Sequence, residues 1–137
     1  MPELSSPRIQ CILGLILLAG SLAARAETST PESAGKARFM DYCAVCHGAD
    51  AKGGGPFATL LNKKPSDLTT LSQRNEGEFP FNRVYETIDG RTMPGAHGTE
   101  QMPIWGGQWK SSASLGNETG VRGQILETIL YLRSIQQ

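Results

Sequence analysis

The sequence predicts an all-α fold for most of its 137 residues. Apolar side chains recur at helical spacing in two segments, one leading into a pair of cysteines and one close to the carboxyl terminus. The connecting segments are rich in glycine and proline, and no segment alternates apolar and polar residues as a strand does. We therefore expect short helices joined by long loops.

The amino-terminal residues 1–26 are interpreted as a secretory signal peptide. Arg8 leads into an apolar run, residues 9–18, and the segment ends in the small-residue pattern Ala24-Arg25-Ala26. This run is roughly half as long as a membrane-spanning helix, so we predict cleavage after Ala26 rather than a retained anchor. Cleavage would leave an exported, periplasmic chain without a membrane span.

The remaining chain is expected to be one domain. Residues 27–33 are mostly Glu, Thr, Ser and Pro, which is typical of a flexible leader, and residues 34–137 form the folded domain. The chain has 13 Lys and Arg against 13 Asp and Glu, without a basic run or stripe. A nucleic-acid partner therefore has no electrostatic support, and any docking charge must be a local patch.

The first helix is expected to run into the cysteine pair. Pro31 suits its first turn, and Ala34, Phe39 and Tyr42 are among the residues that favour it. The helix would deliver both cysteines to the core. Residues 48–56 contain too many glycines for regular structure and form a loop that can approach another group closely.

Two shorter helices and a long irregular stretch are predicted in the middle of the chain. Pro65 opens the first helix, which continues to about Asn75. Pro80 opens the second helix, and Gly90 ends it. Residues 90–107 form an irregular stretch that is long enough to indicate a function.

The last helix is the most clearly patterned element. Asn117 is placed to cap it, and Glu118 favours its first turn. The helix is expected to bury one apolar face against the rest of the domain. That face consists of Val121, Ile125, Ile129 and Leu132.

The chemistry is carried by Cys43-Ala44-Val45-Cys46-His47, which is the C-x-x-C-H pattern of covalent haem attachment. Its spacing lets two thiols reach the two vinyl groups of one porphyrin and places the histidine beneath the iron. A dithiol redox pair and half of a zinc site are the alternatives. The first lacks a βαβ context, and the second lacks ligands because His97 is the only further histidine.

The attachment motif is one of several features that follow a characteristic order along the chain. The others are Gly35 and Phe39 near the first helix, the glycine-rich loop ending at Pro56, a Met-Pro pair and a closing Tyr131-Leu132 helix. Over residues 34–136 the chain therefore resembles the class I cytochrome c family. The resemblance implies a small all-α fold of about four to five short helices wrapped around one covalently bound haem c.

In this fold the first and last helices cross. The resemblance implies that Gly35 lets the last helix approach closely. It also implies that Phe39 packs against residues such as Ile129 or Leu132.

The resemblance further implies the ligands of the iron. His47 would bind through Nε2, while the backbone carbonyl of Pro56 accepts its Nδ1 proton. The sixth ligand would be the sulfur of Met102, in Met-Pro-Ile-Trp-Gly, with Met93 as the weaker candidate. His97 is a rival ligand, and its alternatives are a contact with a haem propionate or with solvent.

The haem propionates need partners as well. Trp105 and Trp109 are candidate N–H donors, and Arg91 and Arg74 are candidate counter-charges. The alternative is an aromatic wall for an apolar haem pocket, with both arginines in solvent.

The resemblance implies electron transfer rather than catalysis. With protein ligands on both sides of the iron, no coordination site is open to a substrate. The expected role is a monomeric periplasmic carrier of single electrons, which redox proteins contact transiently at the haem edge near residues 43–57. A cytochrome subunit of a larger oxidoreductase or respiratory complex and a haem-based ligand sensor are the alternatives.

Overall fold

The computed structural model describes residues 29–91, 102–111 and 117–137. These ranges form the predicted all-α fold and contain no β-strand, and none of their helices is long and apolar enough to span a bilayer. The predictions for the signal peptide, Met93 and His97 concern residues outside these ranges. The helices are α1 (Pro31–Arg38), α2 (Ala44–His47), α3 (Phe81–Asp89), α4 (Trp105–Ser111) and α5 (Glu118–Ser134).

One continuous helical segment joins α1 to α2, because a π-helical turn spans Phe39–Cys43 between them. Thr30 caps the segment, since its side-chain oxygen accepts a hydrogen bond from the backbone N–H of Ser33 at 3.2 Å. The helix begins at Pro31, so residues 31–33 of the predicted leader are helical. The predicted entry of this helix into the cysteine pair is confirmed, whereas the π-helical turn was not predicted.

α1 packs directly on α5 at Gly35. A Cβ atom at this position would collide with the backbone carbonyl of Glu127, so glycine is what allows the two helices to come this close. One turn later Phe39 is fully buried, and its ring centroid lies 5.3 Å from that of Tyr131. The Arg38 guanidinium donates to the Glu127 carboxylate at 2.8 Å. The predicted contact between the first and last helices is confirmed.

α5 supplies much of the apolar core. Its predicted apolar face is buried, and Asn117 caps the helix as expected by accepting the N–H of Gly120 at 2.8 Å. Ile129 and Leu132, the expected neighbours of Phe39, share the core with it. The buried apolar residues are Phe39, Ala44, Ala51, Val84, Ile88, Trp109, Val121, Ile125, Ile129, Tyr131 and Leu132.

Residues 65–75 do not form the predicted α-helix. The helical structure in this segment is a short 3-10 turn, Gln73–Asn75. Asp67 competes with helix formation, because its carboxylate accepts the hydroxyl of Thr69 at 2.6 Å and the backbone N–H of Thr69 at 2.8 Å. Both hydrogen bonds lower the pKa of Asp67 below its usual value, and the bond from the Thr69 hydroxyl has the larger effect. The N–H of Leu68 donates instead to the carbonyl of Ala51 at 2.8 Å.

α3 matches its prediction, whereas α4 was not expected. Gly90 ends α3 in the left-handed conformation, with φ at +67°. The irregular stretch predicted over residues 90–107 ends earlier, because α4 begins at Trp105. Gly106 lies against Asp89 so closely that a Cβ atom would collide with it. Glycine therefore lets α4 pack on the carboxyl end of α3.

An ion-pair network joins α3, α4 and α5. Arg91 contacts Asp89 at 2.8 Å and Glu118 at 2.9 Å, and Lys110 contacts Glu118 at 2.7 Å. Hydrogen bonds from Arg91 and then from Lys110 lower the pKa of Glu118 from 4.5 to about 2. The amino terminus of α5 is thereby tied to the ends of two other helices.

We expect Gly35→Ala to destabilise the folded protein by about 1–3 kcal/mol, the usual cost of overpacking, because the added methyl group meets the backbone of α5. Gly123→Ala is the matched control within α5, since a Cβ atom there has no neighbour within 4 Å. The control is expected to stabilise the protein by roughly 0.5–1 kcal/mol. Urea unfolding followed by circular dichroism measures both, and equal effects at the two sites would contradict the close approach.

The Glu118 carboxylate is expected to make stability depend on pH in acid. Because folding lowers its pKa, its ion pairs stabilise the protein above pH 4.5, and this contribution is lost as the pH falls towards about 2. Glu118→Gln should therefore unfold more easily than the unmodified protein at pH 6 and show no such difference near pH 2. Urea midpoints of both proteins across this range test the expectation, and a difference that stays constant with pH would refute it.

Candidate functional site

The cysteine motif lies where the π-helical turn passes into α2. Cys43 is the last residue of the turn, and Cys46 and His47 lie in α2. Both thiols are free and partly buried. Gly48 ends α2 with φ at +80°, so the chain leaves the helix directly after the histidine. The local fold therefore places the two thiols and the imidazole on one short helical segment.

The glycine-rich loop that follows folds back onto the motif. Backbone N–H groups of two loop residues and of the residue directly after the loop donate to three consecutive carbonyls of α2. Phe57 donates to Val45 at 2.9 Å, Gly55 to Cys46 at 3.1 Å, and Gly53 to His47 at 2.7 Å. The predicted loop is confirmed, and it satisfies helix-end carbonyls that otherwise lack partners.

Glycine is required at two positions of this loop. A Cβ atom at Gly55 would lie 2.5 Å from the carbonyl oxygen of Val45 and 2.6 Å from that of Ala44. Gly53 has φ at +82°, and a Cβ atom there would collide with the carbonyl of Pro65. The loop is therefore held between the motif on one side and the segment beginning at Pro65 on the other.

The His47 ring is oriented by a backbone carbonyl. Its Nδ1 lies 3.2 Å from the carbonyl oxygen of Ser66. The resemblance predicted the carbonyl of Pro56, and the structure instead gives this atom Ser66, because the Gly53 contact holds residues 65–66 beside the ring. A proton on Nδ1 donated to Ser66 places the lone pair of the neutral ring on Nε2, which is then the nitrogen able to bind a metal.

Burial changes the acidity of one thiol. The pKa of Cys43 rises from 9.0 to about 12, first because burial disfavours the thiolate and second because Cys46 is close, while Arg38 acts in the opposite direction. Cys43 is therefore a protonated thiol at neutral pH. Such a thiol is a poor nucleophile for disulfide exchange, which weighs against the alternative of a reactive dithiol pair.

An aromatic cluster lies beside the motif. Ring centroids of Tyr42 and Trp105 are 5.4 Å apart, and those of Trp105 and Trp109 are 5.6 Å apart. The Arg38 guanidinium lies 5.7 Å from the centroid of the Trp109 ring. Among the described residues, Trp109 is buried with its Nε1 proton unpartnered. The predicted role of the tryptophans as donors to carboxylates stays a prediction, and Trp109 has the free donor that this role requires.

The other predicted site residues are distributed around this centre. Met102 is partly buried and lies just before α4. Arg91 donates through Nε to Asp89 and through Nη1 to Glu118, so its contacts here are ion pairs within the protein. The Arg74 guanidinium donates to the Asp67 carbonyl at 2.6 Å. The predicted roles of Met102 and Arg91 at a haem stay predictions.

Sequence reasoning missed the Ser66 carbonyl because it is a backbone atom. Any residue type supplies such an acceptor, so the identity of Ser66 carries no signal. The turn signal Pro65-Ser66-Asp67 was present, but it was assigned to a helix start. Read as a turn, it would have indicated exposed backbone carbonyls at this position.

Comparison with known proteins gives one match. The family model described as Cytochrome c matches residues 32–109, which is more than half of the chain. No curated protein and no solved structure matches the chain. The matched range contains Cys43, Cys46, His47 and Met102 and ends before α5. Across the described ranges, no three or more His, Cys, Asp and Glu side chains come together as a separate metal site.

Proposed function

Because the chain belongs to the cytochrome c family, we propose that it is a monohaem carrier that moves single electrons in the periplasm between respiratory or redox partners. Membership of this family shows that the chain is a haem electron-transfer protein with covalently bound haem c. The sequence has three cysteines and a single C-x-x-C-H motif, which supports one haem per chain. The observation that carries the proposal is the joint placement of Cys43, Cys46 and His47 on one short helical segment.

The residues around the motif fit a covalently attached haem. Both thiols are free, and Cys43 stays protonated at neutral pH, which is the form whose S–H adds across a vinyl group. The contact of His47 Nδ1 with Ser66 leaves Nε2 as the metal-binding atom. Gly55 lets the loop close over the motif without a side chain between them. The two cysteines would therefore supply the thioether bonds to the haem, and His47 would supply one imidazole ligand to the iron.

When bound, the haem supplies an iron that accepts and releases one electron. Cys43 and Cys46 anchor it to the helix, and the Ser66 carbonyl fixes the tautomer of His47 and raises the basicity of the ring. Met102 is proposed as the second axial ligand, with Met93 as the weaker candidate. Two protein ligands leave no coordination site for a substrate, which supports electron transfer rather than oxygen or peroxide chemistry.

Trp105 and Arg91 are proposed as neighbours of the haem propionates. The unpartnered Nε1 proton of Trp109 supports a donor role for this aromatic cluster. Arg91 already contacts two carboxylates through Nε, Nη1 and Nη2, and the second N–H of Nη2 is the donor proposed for a third. The ion-pair network would then connect the haem to the amino terminus of α5.

Export to the periplasm is proposed from the signal-peptide pattern of residues 1–26. Cytochrome c domains are typically extracellular or periplasmic, which agrees with this location. The absence of a net charge on the chain supports a small carrier whose docking depends on local surface features. A monomer in solution is part of the same proposal.

The proposal is tested by making the full chain in a bacterial host that matures c-type cytochromes. We expect the periplasmic fraction to contain a coloured protein, with a pyridine haemochrome that reports one haem per chain. The visible spectrum of the reduced protein should not change when carbon monoxide is added, because both axial positions are filled. A colourless folded protein would end the proposal, and a carbon monoxide complex would indicate a ligand-binding haem.

Size-exclusion chromatography of native extract then distinguishes a carrier from a subunit. A free carrier elutes as a single chain, below the 14.7 kDa of the uncleaved sequence because the signal peptide has been removed. Haem that elutes in a stable large complex would contradict the carrier proposal while leaving electron transfer intact. The Cys43→Ser, Cys46→Ser double variant is the negative control and should contain no covalent haem.

Met102→Leu is expected to abolish the methionine-to-iron charge-transfer band of the oxidised protein, because leucine keeps the side-chain volume but has no sulfur ligand. Its reduction potential should fall, since Met/His ligation raises the potential. Met93→Leu is the matched control and should keep the band. Met40→Leu is a second control, because Met40 is an exposed methionine on the first helical segment, and it should also keep the band. Loss of the band in Met93→Leu with retention in Met102→Leu would reverse the assignment.

A further inference from the structure

We propose that Gln136 is a positioning residue for His47, because its side chain holds the backbone segment that presents the Ser66 carbonyl to the imidazole. Through this segment its hydrogen bonds lower the reduction potential of the haem. The inference rests on the proposed function, since a reduction potential requires the bound haem. It assigns a role to a residue just after α5, outside the range that the family model matches.

The segment that carries Ser66, residues 64–72, contains neither helix nor strand. Backbone of this kind must find its hydrogen-bond partners in other elements. On one side the N–H of Leu68 donates to the carbonyl of Ala51, in the glycine-rich loop, at 2.8 Å. The position of the Ser66 carbonyl therefore depends on contacts that neighbouring elements make with this segment.

The side chain of Gln136 holds the segment from the direction of α5. Its Oε1 accepts the backbone N–H of Ser72 at 2.9 Å. Its Nε2 donates to the carbonyl of Leu68 at 2.8 Å and to the carbonyl of Leu132, in the last turn of α5, at 2.7 Å. One donor-bearing and one acceptor-bearing end are needed to make these three bonds, which an amide supplies and a carboxylate does not.

Leu68 is the residue at which the two sets of contacts meet. Its N–H is bound by the glycine-rich loop, its carbonyl is bound by Gln136, and its side chain packs against the apolar core. It lies two residues after Ser66. Removing the Gln136 amide would release one side of this residue while the Ala51 contact stays. We therefore expect the Ser66 carbonyl to be less well fixed but still beside the ring.

The contact between His47 and Ser66 is one that a small displacement weakens. The distance from Nδ1 to the carbonyl oxygen is 3.2 Å, which is already at the long end of the range for an N–H···O bond. Donation of the Nδ1 proton raises the basicity of the ring as a ligand, and a more basic ligand favours the oxidised iron. A weaker bond to Ser66 therefore raises the reduction potential.

The variant Gln136→Leu tests the inference, because leucine is of similar size and makes no hydrogen bonds. Gln137→Leu is the matched control, since the hydrogen bonds of Gln137 to Thr69 and Gln73 use its backbone N–H and carbonyl. At a fixed applied potential the ratio of oxidised to reduced haem in Gln136→Leu should fall about two- to tenfold, where tenfold corresponds to about 59 mV for one electron. The control should match the unmodified protein. Spectroelectrochemical titration of the haem-loaded proteins measures this ratio.

Hydrogen exchange in the unmodified haem-loaded protein is the second measurement, and it needs no variant. If opening of the Gln136 bonds frees the Ser66 carbonyl, the Ser72 N–H and the His47 Nδ1 proton open together. Their protection factors, each relative to its intrinsic rate, should then agree within about tenfold. A Ser72 N–H that is far less protected than the His47 Nδ1 proton would overturn the inference, because the carbonyl would stay in place without Gln136.

A merely structural role for Gln136 predicts lower stability with an unchanged potential. Equal potentials in Gln136→Leu and Gln137→Leu, or a lower potential in Gln136→Leu, would therefore refute the inference and leave the proposed function intact, because both proteins still carry haem. Should Gln136→Leu not fold, the exchange measurement decides alone. An unmodified protein without covalent haem would instead contradict the proposed function.

Discussion

The close approach of the first and last helices is the contact on which the rest of the structure depends. At Gly35 the backbone of α1 meets the Glu127 carbonyl of α5, and Phe39 fills the space beyond it. α1, the π-helical turn and α2 form one segment, so packing its first part on α5 also orients its last part. That last part carries Cys43 and His47. The site therefore takes its position from a helix pair whose packing lies away from it.

A second set of contacts makes the site rigid. Backbone bonds from the glycine loop engage the carbonyls at the end of α2, and the Ser66 carbonyl engages the His47 ring. Few of these contacts involve a side-chain functional group other than the imidazole. A metal ligand held in this way changes little in geometry when the charge at the metal changes, which is what a one-electron carrier requires.

The parts of the fold that depend on local pattern were predictable from the sequence. The cysteine motif is five consecutive residues, and α5 repeats its apolar side chains at helical spacing. The helix predicted after Pro65 fails because the side chain of Asp67 takes a neighbouring N–H, which composition does not reveal. α4 was missed because its two glycines weaken the helical pattern, while Gly106 is there to let α4 contact Asp89. The two misses have different causes, since a side-chain hydrogen bond two residues away decided the first and packing of α4 on α3 decided the second.

The α1–α5 contact also determines the order in which the domain can be completed. Arg38 and Glu127 are 89 residues apart, so α1 can make its contact with α5 only after the residues between them have been synthesised. During that interval the core beside Cys43 is incomplete, because α5 supplies much of it. Covalent attachment of a prosthetic group thus has a natural window before α5 packs on α1, and that packing completes the core around the attachment segment.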